Sequence, residues 1–324
     1  MPEFWDSDDD FLPSASDSSL DEDEVNTRVR PFWPAYINIF KSRGFRLETV
    51  RDVKEYYTSR GLYYTHQHSP FPDYSRACKI ADDDVLCPDA GLPDNLFRGT
   101  RVLDGKKVIV KATHICSREY DVIQLLSSPP LRDDPMNHTI PVLDFIEVPK
   151  DNLVFIVMEQ WSSQLIADEG PCCLRLFLAA LRQCLEHAAF MHKNSIAHLD
   201  ISLRNLLTDF QGHYAYIDYE LSRRFDGMDR PFIYGYRGTE VPPECERGEY
   251  YDPYKVDVWA LAVLILRACK LTGYHVPELM HLIKPMLHEA PEHRPSIFAV
   301  LRAFDGMVSR ISDHRLWTKC PSSH

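Results

Sequence analysis

Apolar positions along this chain change period several times, and each change predicts an element. Residues 1–30 show few periodic apolar positions and many Asp, Glu and Ser, the pattern of a solvated, disordered tail. Residues 31–62 switch to helical spacing. Trp33, Tyr36, Ile37 and Phe40 form one stripe ending at Gly44, and Leu47, Val50, Val53 and Tyr57 form a second ending at Gly61, so two amphipathic helices are predicted. Two such helices need a surface to cover, which makes packing on the following domain the expected arrangement and a partner-binding module the alternative. Residues 63–92 read as loop, with several prolines and the acidic run Asp82–Asp84. From Asn95 the period falls to two. LFRGTRVL and KKVIVKA flank Asp104-Gly105, a hairpin signal.

A short helix follows through Glu119, Val122, Ile123 and Leu126, then strands at 140–145 and 153–158. Leu174, Phe177, Leu178, Leu181, Leu185 and Ala188 predict a long helix reaching about Met191. His187 and His192, on or near it, are read as packing or surface residues, since no metal-ligand spacing accompanies them. Leu206-Leu207 and Tyr214, Tyr216, Ile217 bracket the turn chemistry of Asp209–Gly212, a second and shorter hairpin. The longest apolar run, Val258 to Leu266, suits a buried helix and is too short to span a bilayer.

Composition changes this picture in two places. The chain of 324 residues carries a net charge of −12, and its first 30 residues hold ten Asp and Glu against two Arg. Most of the acidity is therefore a property of the tail, and no basic face argues for nucleic acid. Nine cysteines lack a Cys-x-x-Cys pair, and Cys172 and Cys173 are adjacent. The odd count suits reduced thiols in a cytoplasmic or nuclear protein, and the acidic start is unlike a secretory signal.

The chemistry concentrates between Ile196 and Ser222. Closing the hairpin brings Asn205 close to Asp218, with Asp200 on the loop just before. Three oxygen-bearing side chains, two of them anionic, then share one mouth. Such a set needs a cation, and hard oxygen ligands without His or Cys suit Mg²⁺ shared with a phosphate.

Here the sequence resembles a known family. His198-Leu-Asp200 with Asn205 five residues on is similar to the catalytic loop of the eukaryotic protein kinases, and Ile217-Asp218-Tyr219-Glu220 stands where that family has Asp-Phe-Gly. Val108–Ala112 resembles the strand that carries the family's lysine, Arg237–Glu244 the end of its activation segment, Val256–Leu266 its Asp-Val-Trp helix, and Pro291–Ser296 its Arg-Pro segment. The resemblance covers about residues 95–305. It implies a bilobal α+β fold in which a small antiparallel β lobe precedes a larger helical lobe, here with an N-terminal helical extension. It implies ATP and Mg²⁺ as cofactors and a protein as substrate. Asp200 would orient the acceptor hydroxyl and take its proton, Lys111 would hold the phosphates, and Asn205 and Asp218 would bind the metal. Glu119 would pair with Lys111. Met158, Glu159 and Trp161 would lie at the hinge, where backbone groups meet adenine. Glu244 would pair with Arg294, Asp257 would accept from the catalytic-loop backbone, and Thr239 would shape the substrate groove.

Four departures bear on activity. No Gly-x-Gly-x-x-Gly precedes Lys111, leaving Gly99 and Gly105; Leu199 replaces the Arg before Asp200; Glu220 replaces a Gly; and Ser202 and Arg204 follow neither the serine/threonine nor the tyrosine pattern cleanly. The expected parts are a disordered tail at 1–30, a helical extension and loop at 31–92, a kinase-like domain at 93–312 divided at 160/161, and a tail at 313–324. The loop wording and the acidic tail look like fungal protein-kinase-domain proteins. The expected activity is phosphoryl transfer to a protein, serine or threonine ahead of tyrosine. A pseudokinase scaffold, favoured by the missing glycine loop, is the alternative. A small-molecule phosphotransferase is a third reading, which lacks support from Glu244, Asp257 and Arg294. No membrane partner is expected, and the oligomeric state is left open.

Overall fold

A computed structural model describes residues 29–61, 72–165, 173–228 and 230–317. The expected acidic tail lies outside these up to residue 28, as do Cys172 and residues 318–324. After a 3₁₀ turn at Trp33–Tyr36 comes α1 (Ile37–Ser42), then β1 (Phe45–Leu47), α2 (Val50–Ser59) and α3 (Pro72–Lys79). The small lobe continues with β2 (Leu96–Arg101), β3 (Lys107–His114), α4 (Arg118–Leu126), β4 (Val142–Val148) and β5 (Leu153–Glu159). The large lobe begins with α5 (Leu174–Lys193) and the short strands β6 (Ile196–Ala197), β7 (Leu206–Thr208), β8 (Tyr214–Tyr216) and β9 (Arg223–Arg224). It closes with α6 (Pro243–Glu246), α7 (Pro253–Thr272), α8 (Pro277–Met286), α9 (Ile297–Val308) and α10 (Asp313–Leu316). The five-stranded antiparallel sheet runs β1-β2-β3-β5-β4. The fold is bilobal and α+β, as the resemblance implied.

The N-terminal region differs from its expected form. Leu47 belongs to β1, not to the second helix, and pairs with Gly99 on the sheet edge. Three residues cannot declare a strand period, and Leu47 lies three before Val50, so the stripe ran on through a chain reversal. Gly99 is what lets β1 come so close, because a Cβ there would sit 2.8 Å from the Arg46 carbonyl oxygen. The second helix starts only at Val50, where Thr49 and Asp52 form a reciprocal capping box. A further helix, α3, occupies part of the stretch expected as loop. Its eight residues start at Pro72, a position proline tolerates well, and only Ala77 is buried, so the apolar signal was faint. Strand β4 is also displaced, beginning at Val142 rather than Ile140.

Each face of the sheet has its own cover. On the outer face Trp33, Tyr36 and Phe40 converge on Phe155, with ring centroids 5.5, 4.8 and 5.0 Å away. Ile37, assigned to the same stripe, points to solvent. On the inner face Ile156 and Met158 join Ile123 and Leu126 of α4 and continue into the buried sides of α5 and α7. This second cluster runs through both lobes and fixes the walls of the cleft between them. Each large side chain buried this way contributes roughly 1.5–3 kcal/mol relative to exposure.

Candidate active site

The cleft is framed by β3, α4, the end of β5 and the β7–β8 hairpin. In the ladder Lys111 stands opposite Leu96 on one side and Ile156 on the other, which places its side chain on the inner face. Its amine lies 2.6 Å from Glu119 Oε1 and 3.1 Å from Asp218 Oδ1. Ser117 caps α4 through the Tyr120 N–H, and Glu119 therefore sits in the first turn, facing β3. Burial opposes the lysine's charge, but the two carboxylates outweigh it and raise its pKa above the ordinary value. Burial pushes the Glu119 carboxyl upward against the pull of Lys111.

The opposite wall is built by the hairpin. Leu206 pairs with Tyr216 and Thr208 with Tyr214, and the Ile217 N–H donates to the Asn205 carbonyl at 3.1 Å. That bond draws the two ends together, next to Asp218. Asn205 Nδ2 donates to Asp200 Oδ2 at 2.7 Å and to the Asp200 carbonyl at 2.9 Å. The Thr239 N–H donates to Asp200 Oδ1 at 2.7 Å. Asp200 is thus oriented from two directions, and each oxygen keeps a second lone pair for an acceptor.

The loop carrying Asp200 is fixed from below. Asp257, buried on α7, accepts from the backbone N–H groups of His198 and Leu199, both at 2.8 Å, and from His192 Nε2 at 2.9 Å. Those bonds hold Leu199 at φ 65°, an uncommon conformation for a branched residue. Asp218 also takes a positive φ of 65°, whereas Glu220 does not. Tyr219 between them is buried, and its hydroxyl donates to Thr139 Oγ1 at 3.1 Å. His187 receives the His138 N–H on Nδ1, so its Nε2 carries the proton and donates to the Tyr219 oxygen at 3.1 Å. Burial drives the His187 pKa well down, which keeps that neutral tautomer.

These walls enclose a cavity of about 270 Å³. Leu92, Ile109, Ile140 and Met158 line an apolar part, and Lys111 and Asp218 a charged one. Glu159 and Trp161 line it too, joined by a 3.2 Å bond from Trp161 Nε1 to Glu159 Oε2. A flat heteroaromatic base against apolar walls and a phosphate chain toward Lys111 fit this division. No cluster of three or more His, Cys, Asp or Glu that could hold a metal ion occurs among the described residues. The Asp218 carboxylate and the Asn205 amide oxygen are hard oxygen donors of the kind Mg²⁺ takes, one or two at a time, with phosphate and water completing its shell.

One further ion pair belongs to the same framework. Arg294 and Glu244 form a buried bidentate pair with both bonds at 2.6 Å. Across residues 135–275 the chain matches the protein kinase domain family. This stretch, which is less than half of the chain, is what the chain shares with the protein kinases. Its relatives include the "Probable serine/threonine-protein kinase KIN1 homolog" of Encephalitozoon cuniculi (strain GB-M1), 28% identical over 103 residues, 31% of this chain and 18% of that protein. The "SNF1-related protein kinase catalytic subunit alpha KIN12" of Arabidopsis thaliana is 25% identical over 186 residues, 54% of this chain and 35% of that protein. "Sperm motility kinase 3A" of Mus musculus is 25% identical over 242 residues, 66% of this chain and 46% of that protein. The aligned part is thus less than half the length of these relatives.

Within this fold several contacts carry no signal in the sequence. The His138–His187–Tyr219 chain joins residues far apart in order. Gly238 lies in the stretch that resembles the end of the activation segment, and its reason is spatial: a Cβ there would meet the Leu199 carbonyl oxygen at 2.3 Å. Gly99 faces β1, and Gly105 lies in the β2–β3 turn at the end away from Lys111. The chain instead passes from β1 to β2 through residues 48–95, and Leu92 near its end forms part of the cavity roof. No helix among the described residues is long and apolar enough to cross a membrane.

Proposed function

We propose that this protein kinase domain is catalytically active and transfers the γ-phosphoryl group of Mg-ATP to a protein hydroxyl, serine or threonine ahead of tyrosine. The observation that carries this reading is the bridging of Glu119 and Asp218 by the Lys111 amine, with Asp200 oriented across the cleft. Bound Mg²⁺ would neutralise charge on the phosphates and hold them for transfer. Asn205 and Asp218 would hold the metal, and Lys111 would bind the phosphates. The Glu159 and Gln160 N–H groups already serve the Pro141 and Lys107 carbonyls, so the hinge would offer adenine the Glu159 carbonyl and the Trp161 N–H. Asp200 would orient the acceptor hydroxyl and receive its proton. The names of two relatives carry "serine/threonine-protein kinase", which supports the choice of acceptor. Incubation with γ-labelled ATP, Mg²⁺ and a serine, threonine and tyrosine peptide library should give Mg²⁺-dependent label on serine or threonine peptides. Nucleotide binding without any labelled peptide or protein would favour the scaffold reading.

Leu199 points to how the site stays ordered. In the family the arginine at this place meets a phosphate on the activation segment. Here Leu199 is buried in an apolar cluster with Phe225, Tyr251 and Val256, against which Tyr236 packs. Tyr236 donates to the Glu240 carbonyl at 2.9 Å. Apolar packing would replace a phosphate–arginine contact, and phosphorylation of this segment would not be required. Phosphatase-treated and untreated protein should then transfer phosphate at rates within about twofold of each other. A strong activation that maps to phosphate on Tyr234, Tyr236 or Thr239 would defeat the idea.

A further inference from the structure

Two side chains cover the apolar end of the cavity, and they come from different parts of the chain. Phe97 packs on the outer face of the sheet, so its neighbours in β2, Leu96 and Arg98, face the cleft. Leu96 stands opposite Lys111 and Arg98 opposite Ile109. Arg98 is therefore one step from the lysine toward the end of β5, over the part of the cavity that suits a base. Leu92 covers the same part from the inserted stretch 48–95.

One residue ties both of them down from outside. Asp89 lies on the wall of a neighbouring cavity of about 240 Å³, between the sheet and the helices α2 and α3. Its Oδ2 accepts from Arg98 Nε at 2.6 Å, its Oδ1 from the Gly91 N–H at 2.8 Å and its carbonyl from the Leu92 N–H at 3.1 Å. The bond to Gly91 is an Asx turn, and it turns the chain so that Leu92 comes over the cleft. The Asp89 side chain is 10 % exposed, so water competes little for these bonds. Beyond the turn the strip is held by the Asp94 and Asn95 carbonyls, which accept from Trp33 Nε1 at 3.0 Å and from the Ala112 N–H at 2.8 Å.

We propose that Asp89 is a positioning residue for the nucleotide: by holding Leu92 and Arg98 in place it gives the base a fixed cover, made of the Leu92 side chain and the alkyl stem of Arg98. The inference rests on the nucleotide-binding part of the proposed function but not on catalysis. An arginine can lay its stem on an apolar surface while its charged head is satisfied elsewhere, and here the head is satisfied by Asp89. The group covered is the base, so loss of Asp89 should weaken nucleoside and nucleotide by one common factor and leave a bare phosphate chain alone.

The test is a calorimetric titration of wild type, Asp89→Ala, Asp89→Asn, Leu92→Ala and Asp83→Ala with Mg-ATP, adenosine and inorganic Mg-triphosphate. Asp83 carries a comparable ion pair in the same inserted stretch, 2.6 Å from Lys54 Nζ, and reports the cost of loosening that stretch without freeing the cover. For Asp89→Ala the Kd values for adenosine and Mg-ATP should rise together by about tenfold, the scale of uncovering some tens of Å² of apolar surface. Mg-triphosphate should stay within about twofold, and so should all three ligands with Asp83→Ala. Asp89→Asn keeps an acceptor for the Gly91 N–H and should recover part of the loss. Leu92→Ala removes cover without touching a hydrogen bond, and it should show the same selective loss even if Asp89→Ala does not fold. Unchanged adenosine affinity in Leu92→Ala or in folded Asp89→Ala overturns the proposal. So does an equal loss for Mg-triphosphate, or an equal loss in Asp83→Ala, which would make Asp89 a general prop of the fold. Wild type that binds neither ATP nor adenosine overturns the proposal together with the proposed function, an outcome distinct from the others.

Discussion

Asp200→Ala lowers the phosphoryl-transfer rate by about two to four orders of magnitude, the range for losing a positioned general base. The geometry explains why the loss should fall on turnover rather than on folding or nucleotide affinity. Asp200 is oriented by Asn205 Nδ2 and the Thr239 N–H. Asn205 keeps its bond to the residue 200 carbonyl when the side chain is gone, and Thr239 sits in the open groove where water can reach it. Lys111 contacts Glu119 and Asp218, the groups proposed for the phosphate side of the cleft, and not Asp200. The expected signature is a large fall in kcat with the KM for ATP and the thermal midpoint close to wild type. A fall of under about threefold would show that Asp200 neither positions nor deprotonates the acceptor.

Arg294→Ala should cost about 3–5 kcal/mol of folding stability, the range for stranding one member of a buried ion pair. Domains of this kind have about 5–15 kcal/mol in total, so the variant should lose a large share of its cooperative transition. Arg294 has all its donors engaged. Two face Glu244, Nε faces the His288 carbonyl at 2.8 Å, and the Lys255 and Glu289 carbonyls accept at 3.2 and 3.3 Å. The guanidinium also lies 4.8 Å from the centroid of the Trp259 ring. Alanine removes every one of these contacts and leaves Glu244 buried without its cation. Urea unfolding followed by tryptophan fluorescence reads the effect as a lower midpoint. The double variant Arg294→Met with Glu244→Leu should regain part of the loss, since the stranded charge is removed with its partner. A cost below about 1 kcal/mol would mean that water reaches Glu244 and that the pair acts as a surface bridge.

How much of this could be read from the sequence depends on the range of the interaction. The β7–β8 hairpin is local: Leu206-Leu207, the turn residues from Asp209 and the aromatic run from Tyr214 all lie within a dozen positions. The long helix α5 announced itself through six apolar residues on one stripe, and it ends at Lys193, close to the expected Met191. Lys111 was legible as a strand residue because Val108–Val110 have no other good reading. The contacts that turn these elements into a site are of another kind. Thr239 reaches Asp200 across 39 positions, and Asp257 reaches Leu199 across 58; only the family's motifs suggested the second of these. β1 escaped because its three residues gain their strand character from pairing with Gly99–Arg101, which no local period encodes. The roof escaped for a related reason. Its proline-bearing, polar sequence is that of a loop, and nothing in it says that the loop lies over the cleft.

The account stands on one arrangement, a nucleotide and its divalent cation held between Lys111 and Asp218. The most direct test is the unfolding midpoint of wild type and Asp218→Asn with ATP at about a hundred times its Kd, in the presence and absence of Mg²⁺. Wild type should gain about 2.7 kcal/mol with Mg-ATP, less without the metal, and Asp218→Asn should lose the metal-dependent part. A wild-type midpoint unmoved by Mg-ATP, or a gain indifferent to both Mg²⁺ and Asp218, would contradict the account.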